Sequence, residues 1–200
     1  MTEPFLIAGL GNPGAEYSRT RHNAGFLLLE ELARLWKVEW TSERRFEALV
    51  ARSSRPAGTV WLVRPQTFMN ASGEAVGALV RYYRVEMARV LVVVDDADLP
   101  LGTVRLRPEG SSGGHHGLES VETHLGSRAY ARLRLGIGRK ESVAREITGH
   151  VLGRFTPAET AIFEQVVRHS VSQVTCWLDE GIGKAMARYN GLAARVERED

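Results

Sequence analysis

Val90-Leu91-Val92-Val93-Val94-Asp95-Asp96-Ala97-Asp98 decides the fold. Its first five residues are all branched and apolar, with no polar face. Such a run reads as a strand covered on both sides, as in a parallel sheet lying between helix layers. It stops abruptly at Asp95, Asp96 and Asp98, which places acid at the carboxyl end of the strand.

Upstream, residues 5–10 form another short apolar run, closed by Gly11-Asn12-Pro13-Gly14, and read as a buried strand entering a tight loop. Phe26, Leu29, Leu32, Ala33 and Trp36 recur at helical spacing and predict a helix over Ala24–Trp36. Residues 46–52 and 59–64 read as two strands joined across a turn at 53–58. Ser72–Tyr83 reads as a helix with Ala75, Val76, Leu79, Val80 and Tyr83 on one face. Downstream, residues 103–106 give a strand, 109–117 a glycine-rich loop, Leu118 the start of a short helix, and 133–137 another strand. Thr156-Pro157-Ala158-Glu159 carries a capping box with proline at the first helical position. The long helix it opens buries Ile162, Val166, Ser170, Val174 and Trp177; Gly181 and Gly183 break it, and a last short helix runs to about Asn190. Strands interleave with helices throughout, so residues 1–191 read as one three-layer α/β domain and 192–200 as a charged, frayed tail.

Ligands of such sheets sit beyond the carboxyl ends of the strands. The Asn12 loop, Phe68-Met69-Asn70 and the Asp95 segment each follow a predicted strand, so they are expected to converge on one cleft. His22 stands at the start of a helix, where an added positive charge is disfavoured, so it tends to stay neutral as a general base must. An aspartate such as Asp95 that orients it completes the usual means of activating water without a metal. Asn12 offers both a donor and an acceptor to a carbonyl group. Asn70 either caps the following helix or faces the cleft. Phe68 and Met69 either join the core or pack on a base or acyl group. Arg105 and Arg107 share one strand face and Arg132 and Arg134 another, which suits either solvent or a phosphate backbone.

Other chemistries fit less well. Gly9-Leu10-Gly11-Asn12-Pro13-Gly14 matches the dinucleotide fingerprint glycine for glycine, but Pro13 interrupts the turn and no helix opens on the glycines. No further ligands accompany the three aspartates at a recognisable spacing, and adjacent His115 and His116 diverge with no evident third ligand, so no metal is expected. The Gly-x-Ser-x-Gly elbow of serine esterases is absent. Cys176 is the single cysteine, which excludes a disulfide framework and points to a reducing cytoplasm. No apolar run approaches the roughly 20 residues of a membrane helix, and the start lacks a secretion signal. All but three of the 26 basic residues are arginine, yet the net charge is only +2, so binding to nucleic acid would fall to a local patch.

Taken together, residues 9–25 (GLGNPGAEYSRTRHNAG), 64–73 (RPQTFMNASG), 94–102 (VDDADLPLG), 113–117 (GGHHG) and 132–138 (RLRLGIG) resemble the bacterial peptidyl-tRNA hydrolase family. The resemblance implies a monomeric, cytoplasmic esterase with a twisted mixed sheet wrapped by helices, no metal or cofactor, and no membrane or DNA partner. It would cut the ester joining a peptide to the 3′ end of tRNA. It implies His22 as catalytic base and Asp95 as its partner, with Asn12 distinguishing a blocked substrate from a free aminoacyl one. Tyr17, Phe68 and Asn70 would contact the tRNA end or acyl-adenosine group, with Met69 beside them, and Arg107 and Arg134 the 5′-phosphate of the acceptor stem. Where the family usually carries asparagine in Gly-Gly-His-Asn-Gly, this chain carries His116. That residue is expected still to meet substrate or water, with altered pH dependence. Ser111-Ser112 also departs from the family's more glycine-rich loop. Two other classes are a non-catalytic RNA-binding relative of the same fold and a nucleotide oxidoreductase. The intact His22, Asp95, Asn12 and Asn70 set argues against the first.

Overall fold

The computed structural model describes residues 3–138 and 147–194. Eight strands form one sheet: β1 (Phe5–Gly9), β2 (Thr41–Glu43), β3 (Ala48–Arg55), β4 (Gly58–Pro65), β5 (Val90–Asp96), β6 (Thr103–Arg107), β7 (Ala131–Gly136) and β8 (Gly191–Leu192). Their spatial order is β2-β3-β4-β1-β5-β7-β6-β8. The central β4, β1, β5 and β7 run parallel, and the flanking pairs are antiparallel, so the sheet is mixed.

Alternation along the central strands explains the layers. Phe5 and Ile7 of β1, with Leu91 and Val93 of β5, join one core with α1 (Ala24–Trp36), α5 (Pro157–Glu180) and α6 (Ile182–Tyr189). Leu6 and Ala8, with Val90, Val92 and Val94, join a second core under α2 (Ser72–Tyr83) and α3 (His116–Leu125). The chain therefore forms the expected α/β sandwich. Each fully buried aliphatic side chain contributes about 1.5–3 kcal/mol. Placing α1 on one face and α2 on the other makes β1 a switch point, where a crevice opens beyond the strand ends.

Glycines set the tightest approach. A Cβ at Gly25 in α1 would lie 2.4 Å from both the Leu10 nitrogen and the Val93 oxygen. The start of α1 thus sits directly on the ends of β1 and β5, bringing the turn before it, Arg21–Asn23, over Asp95.

Several local expectations need correction. Residue 46 lies in a 3-10 turn and β3 starts at Ala48. Its ladder with β4 runs on to Arg55 opposite Gly58, leaving only Pro56 and Ala57 as the turn. The helix expected from Leu118 starts at His116, because the His115 side chain caps it by accepting from the Leu118 N–H. Strand β7 starts at Ala131 and ends at Gly136. Gly181 ends α5, but Gly183 lies within α6 and breaks nothing. The domain continues past residue 191, because Leu192 pairs with Thr103, the N–H groups of Ala193 and Ala194 reach the Gly102 oxygen, and Ala194 is buried. The rest of the expected tail, 195–200, lies outside the described residues. Among the described residues, no helix is long and apolar enough to cross a membrane.

Candidate active site

A cleft of about 620 Å³ opens at the carboxyl ends of β1, β4 and β5. Asn12, His22, Phe68, Met69, Asn70 and Asp95 all line it, so the three segments do meet.

At its floor, Asp95 is 2% exposed. Its Oδ1 lies 2.8 Å from Nδ1 of His22 and 3.1 Å from Nε2 of His115. Burial pushes the carboxyl pKa up, but the hydrogen bonds from His115 and His22 hold it well below the ordinary carboxylate range. An ionised carboxylate only accepts, so both ring nitrogens donate to it. The other His115 nitrogen, Nδ1, accepts from the Leu118 N–H at 3.3 Å, which fixes His115 as the neutral Nε2–H tautomer. His22 donates from Nδ1, which leaves Nε2 for the cleft. The two rings lie 5.3 Å apart, so charging both would bring like charges together.

From sequence His115 was weighed only as a metal ligand, and its contact with Asp95 was missed. The signal was present, since the Gly-rich loop ends in His115, but its contact with Asp95 spans 20 residues and needs the fold. The ligand atoms of His22, Asp95 and His115 lie within 4.8 Å of one another, so the expectation that His115 has no companion ligands was wrong as geometry. The donor chemistry fits a metal poorly. A metal-binding histidine offers a bare nitrogen to the ion and an N–H to its outer partner. His115 does the reverse, donating to Asp95 and accepting from a backbone N–H.

Asn12 is held from both sides. Its backbone N–H donates to Oδ1 of Asn23 (2.8 Å), and its backbone oxygen accepts from Nδ2 of Asn23 (3.0 Å). Its own Oδ1 accepts from the Met69 N–H at 2.8 Å. Only the Nδ2 donor is therefore left for a ligand, half of the capacity expected from sequence. Asn23, buried beside His22, is a second residue the sequence reading passed over.

The rim differs. Phe68 is 60% exposed, and Asn70 is exposed too. Asn70 does not cap α2, whose N-cap is Ala71 without a side-chain bond. Met69 is buried in the core under α2 as well as lining the cleft. His116 lines the cleft with its side chain 77% exposed and pairs through Nδ1 with Glu119 at 3.1 Å. Val151 and Leu152 supply an apolar wall. Tyr17 and Arg107 are outside the cleft lining.

The strand arginines divide. Arg105 faces Arg134, and Arg107 faces Arg132, across the β6–β7 ladder, so all four share one sheet face. Arg105 and Arg107 are exposed. Arg132 is 1% exposed and bonds Glu122 and the carbonyls of Ser111 and Arg128, which removes it from the solvated or phosphate-binding set expected from sequence. Arg134 lines the cleft and bonds Asp96 and the carbonyls of Ser111 and Ser112. Asp96, also in the cleft lining, accepts from the Asp98 N–H as well. The dinucleotide reading fails because the chain after Gly14 forms turns and α1 opens only at Ala24.

A family model described as peptidyl-tRNA hydrolase matches residues 6–198. The peptidyl-tRNA hydrolase of Synechococcus sp. (strain JA-3-3Ab) is 49% identical over 94% of this chain and 83% of its own length. That of Carboxydothermus hydrogenoformans is 45% identical over 93% of this chain and 98% of its own. The crystal structure of peptidyl-tRNA hydrolase from Acinetobacter baumannii superposes with a TM-score of 0.89 at 34% identity, covering 97% of this chain and 98% of that one.

Proposed function

This chain belongs to the peptidyl-tRNA hydrolase family, and on that premise we propose how its cleft works. The enzyme hydrolyses peptidyl-tRNA, cutting the ester between the peptide and the terminal ribose. In our reading, Nε2 of His22 takes a proton from water, and the water oxygen bonds to the ester carbonyl carbon. Asp95 stabilises the imidazolium that forms, as the buried carboxylate of a catalytic triad does. Nδ2 of Asn12 donates to the developing oxyanion. The tetrahedral intermediate then expels the ribose oxygen, which takes the proton back from His22. Free tRNA leaves with the peptide acid, which gives its remaining proton to solvent and becomes a carboxylate.

The observation that carries this reading is the Asp95 carboxylate, ionised and accepting from Nδ1 of His22, because it orients a neutral base. Phe68, Met69, Asn70 and His116 are assigned to the acyl-adenosine end, and Tyr17 to an outer contact. Arg134 and Arg107 are assigned to acceptor-stem phosphates, with Arg105 between them on the same face. Cytoplasmic location, a monomeric state, independence of metal and cofactor, and absence of a DNA partner complete the proposal.

The test compares release from N-acetyl-aminoacyl-tRNA and unblocked aminoacyl-tRNA, with His22→Ala as control. Fast release of only the blocked group, reduced at least ~10²-fold in the variant, is expected. Full activity in His22→Ala would refute the base. A folded protein that binds tRNA and cleaves nothing would return the RNA-binding alternative.

A further inference from the structure

Arg21 stands next to His22, yet its buried side chain is outside the cleft lining and reaches the start of α5. Nη2 donates to Oε2 of Glu159 at 2.8 Å, and the guanidinium lies 5.1 Å from the centroid of the Phe155 ring. Glu159 is the capping-box residue of α5; the same Oε2 accepts from the Thr156 N–H at 2.8 Å. Around this pair the backbone is also stitched together. The Arg21 N–H donates to the Gly153 oxygen at 2.9 Å, and Thr20 bridges to Arg154. Phe155 stacks on Phe163 of α5, 4.6 Å between centroids. One side chain thus joins the turn carrying His22, the strand of chain following the apolar wall of Val151 and Leu152, and the first turn of a 24-residue helix.

We propose that Arg21, through Glu159, is a positioning residue for hydrolysis, anchoring the His22 turn to the N-terminus of α5 so that Nε2 faces the substrate carbonyl. The proposal rests on His22 as the base. The turn is three residues long, the side chain of its N-cap Thr20 bonds back to the Tyr17 carbonyl and does not cap it, and a 3-10 turn of that length has little internal rigidity. Asp95 fixes the ring from one side only. Misplacing a reacting group by ~1 Å can cost on the order of 10²-fold in rate. Lysine at position 21 would keep the charge but lose the planar fork and its stacking on Phe155. Glutamine at 159 would keep an oxygen for the Thr156 N–H while removing the charge that Arg21 meets.

The test is steady-state hydrolysis of N-acetyl-aminoacyl-tRNA by wild type, Arg21→Lys, Glu159→Gln and the double variant, with thermal melts and His22→Ala alongside. Both single variants should lower kcat about tenfold, with KM within about twofold of wild type. The double variant should lose no more than the worse single, because one contact is broken twice. The His22 imidazole resonances should shift in Glu159→Gln, which retains the helix cap and tests the idea even if Arg21→Lys misfolds. Wild-type kcat and unshifted His22 resonances in folded Glu159→Gln, with only a lowered Tm, would reduce the pair to a structural contact and overturn the proposal. An active His22→Ala would instead overturn the base on which it rests.

Discussion

The floor and the rim of the cleft are built on different terms. On the floor, Asp95 accepts from two histidines and Asn12 is gripped by Asn23 and Met69. Each of these polar groups is committed except where a reacting atom would sit. On the rim, Phe68, Asn70 and His116 are exposed, and among the described residues only His116 has a side-chain partner, the surface residue Glu119. The floor arises from strand ends packed so closely that Gly25 admits no side chain. The rim arises from a short 3-10 turn and a helix start. Chemistry that needs fixed geometry is thus carried by the sheet, and recognition by side chains free to adapt to a large substrate.

Substitutions should divide along that line. The largest loss is expected on the floor. Asp95→Asn keeps the shape but presents the His22 and His115 donors with an amide, disturbing both tautomers, and should lower kcat by ~10³-fold or more with KM little changed. A loss under tenfold would detach Asp95 from the base. Asn12→Ala removes the one free donor and frees the Met69 N–H; a loss of about 10²–10³-fold, mainly in kcat, is expected from progress curves with the blocked substrate. At the rim, Phe68→Ala should raise KM several-fold and spare kcat, and a kcat effect as large as that of Asn12→Ala would dissolve the distinction. Smaller still, His116→Asn should change kcat/KM less than about threefold at neutral pH. It should alter its pH dependence, since the imidazole paired with Glu119 can charge and an amide cannot. An unchanged pH profile would remove His116 from the substrate contacts.

Stability offers a separate check on the floor. The folded-state pKa of Asp95 is depressed, so its contribution is complete above the unfolded carboxylate value of about 4 and is lost as pH falls toward the folded value. Wild-type Tm should therefore fall more steeply than that of Asp95→Asn between about pH 4 and pH 2.

Much of this was legible in the sequence, for identifiable reasons. The all-apolar run from Val90 to Val94 declares a strand covered on both faces, and its acidic end locates the floor. Chain segments that follow parallel strands must meet at one edge, so Asn12, Phe68 and Asp95 come together. Long-range partnerships left no such trace. His115 reaches Asp95 only because α3 starts beside it, and Arg132 is buried only because Glu122 and the Ser111 carbonyl lie over it. Strands β2 and β8, three and two residues long, are too short to show any period. Period-two spacing placed the two arginines of each strand on a shared face correctly, but could not say that the β6–β7 register brings both pairs to the same face or which of them the neighbouring loop covers.

The central claim is that Asp95 sets His22 as a neutral base with Nε2 bare. Nitrogen-detected NMR of the histidine rings at neutral pH reads this directly. His22 should carry its proton on Nδ1 and His115 on Nε2. A His22 protonated on Nε2, or on both nitrogens, at a pH where the enzyme is fully active would contradict it.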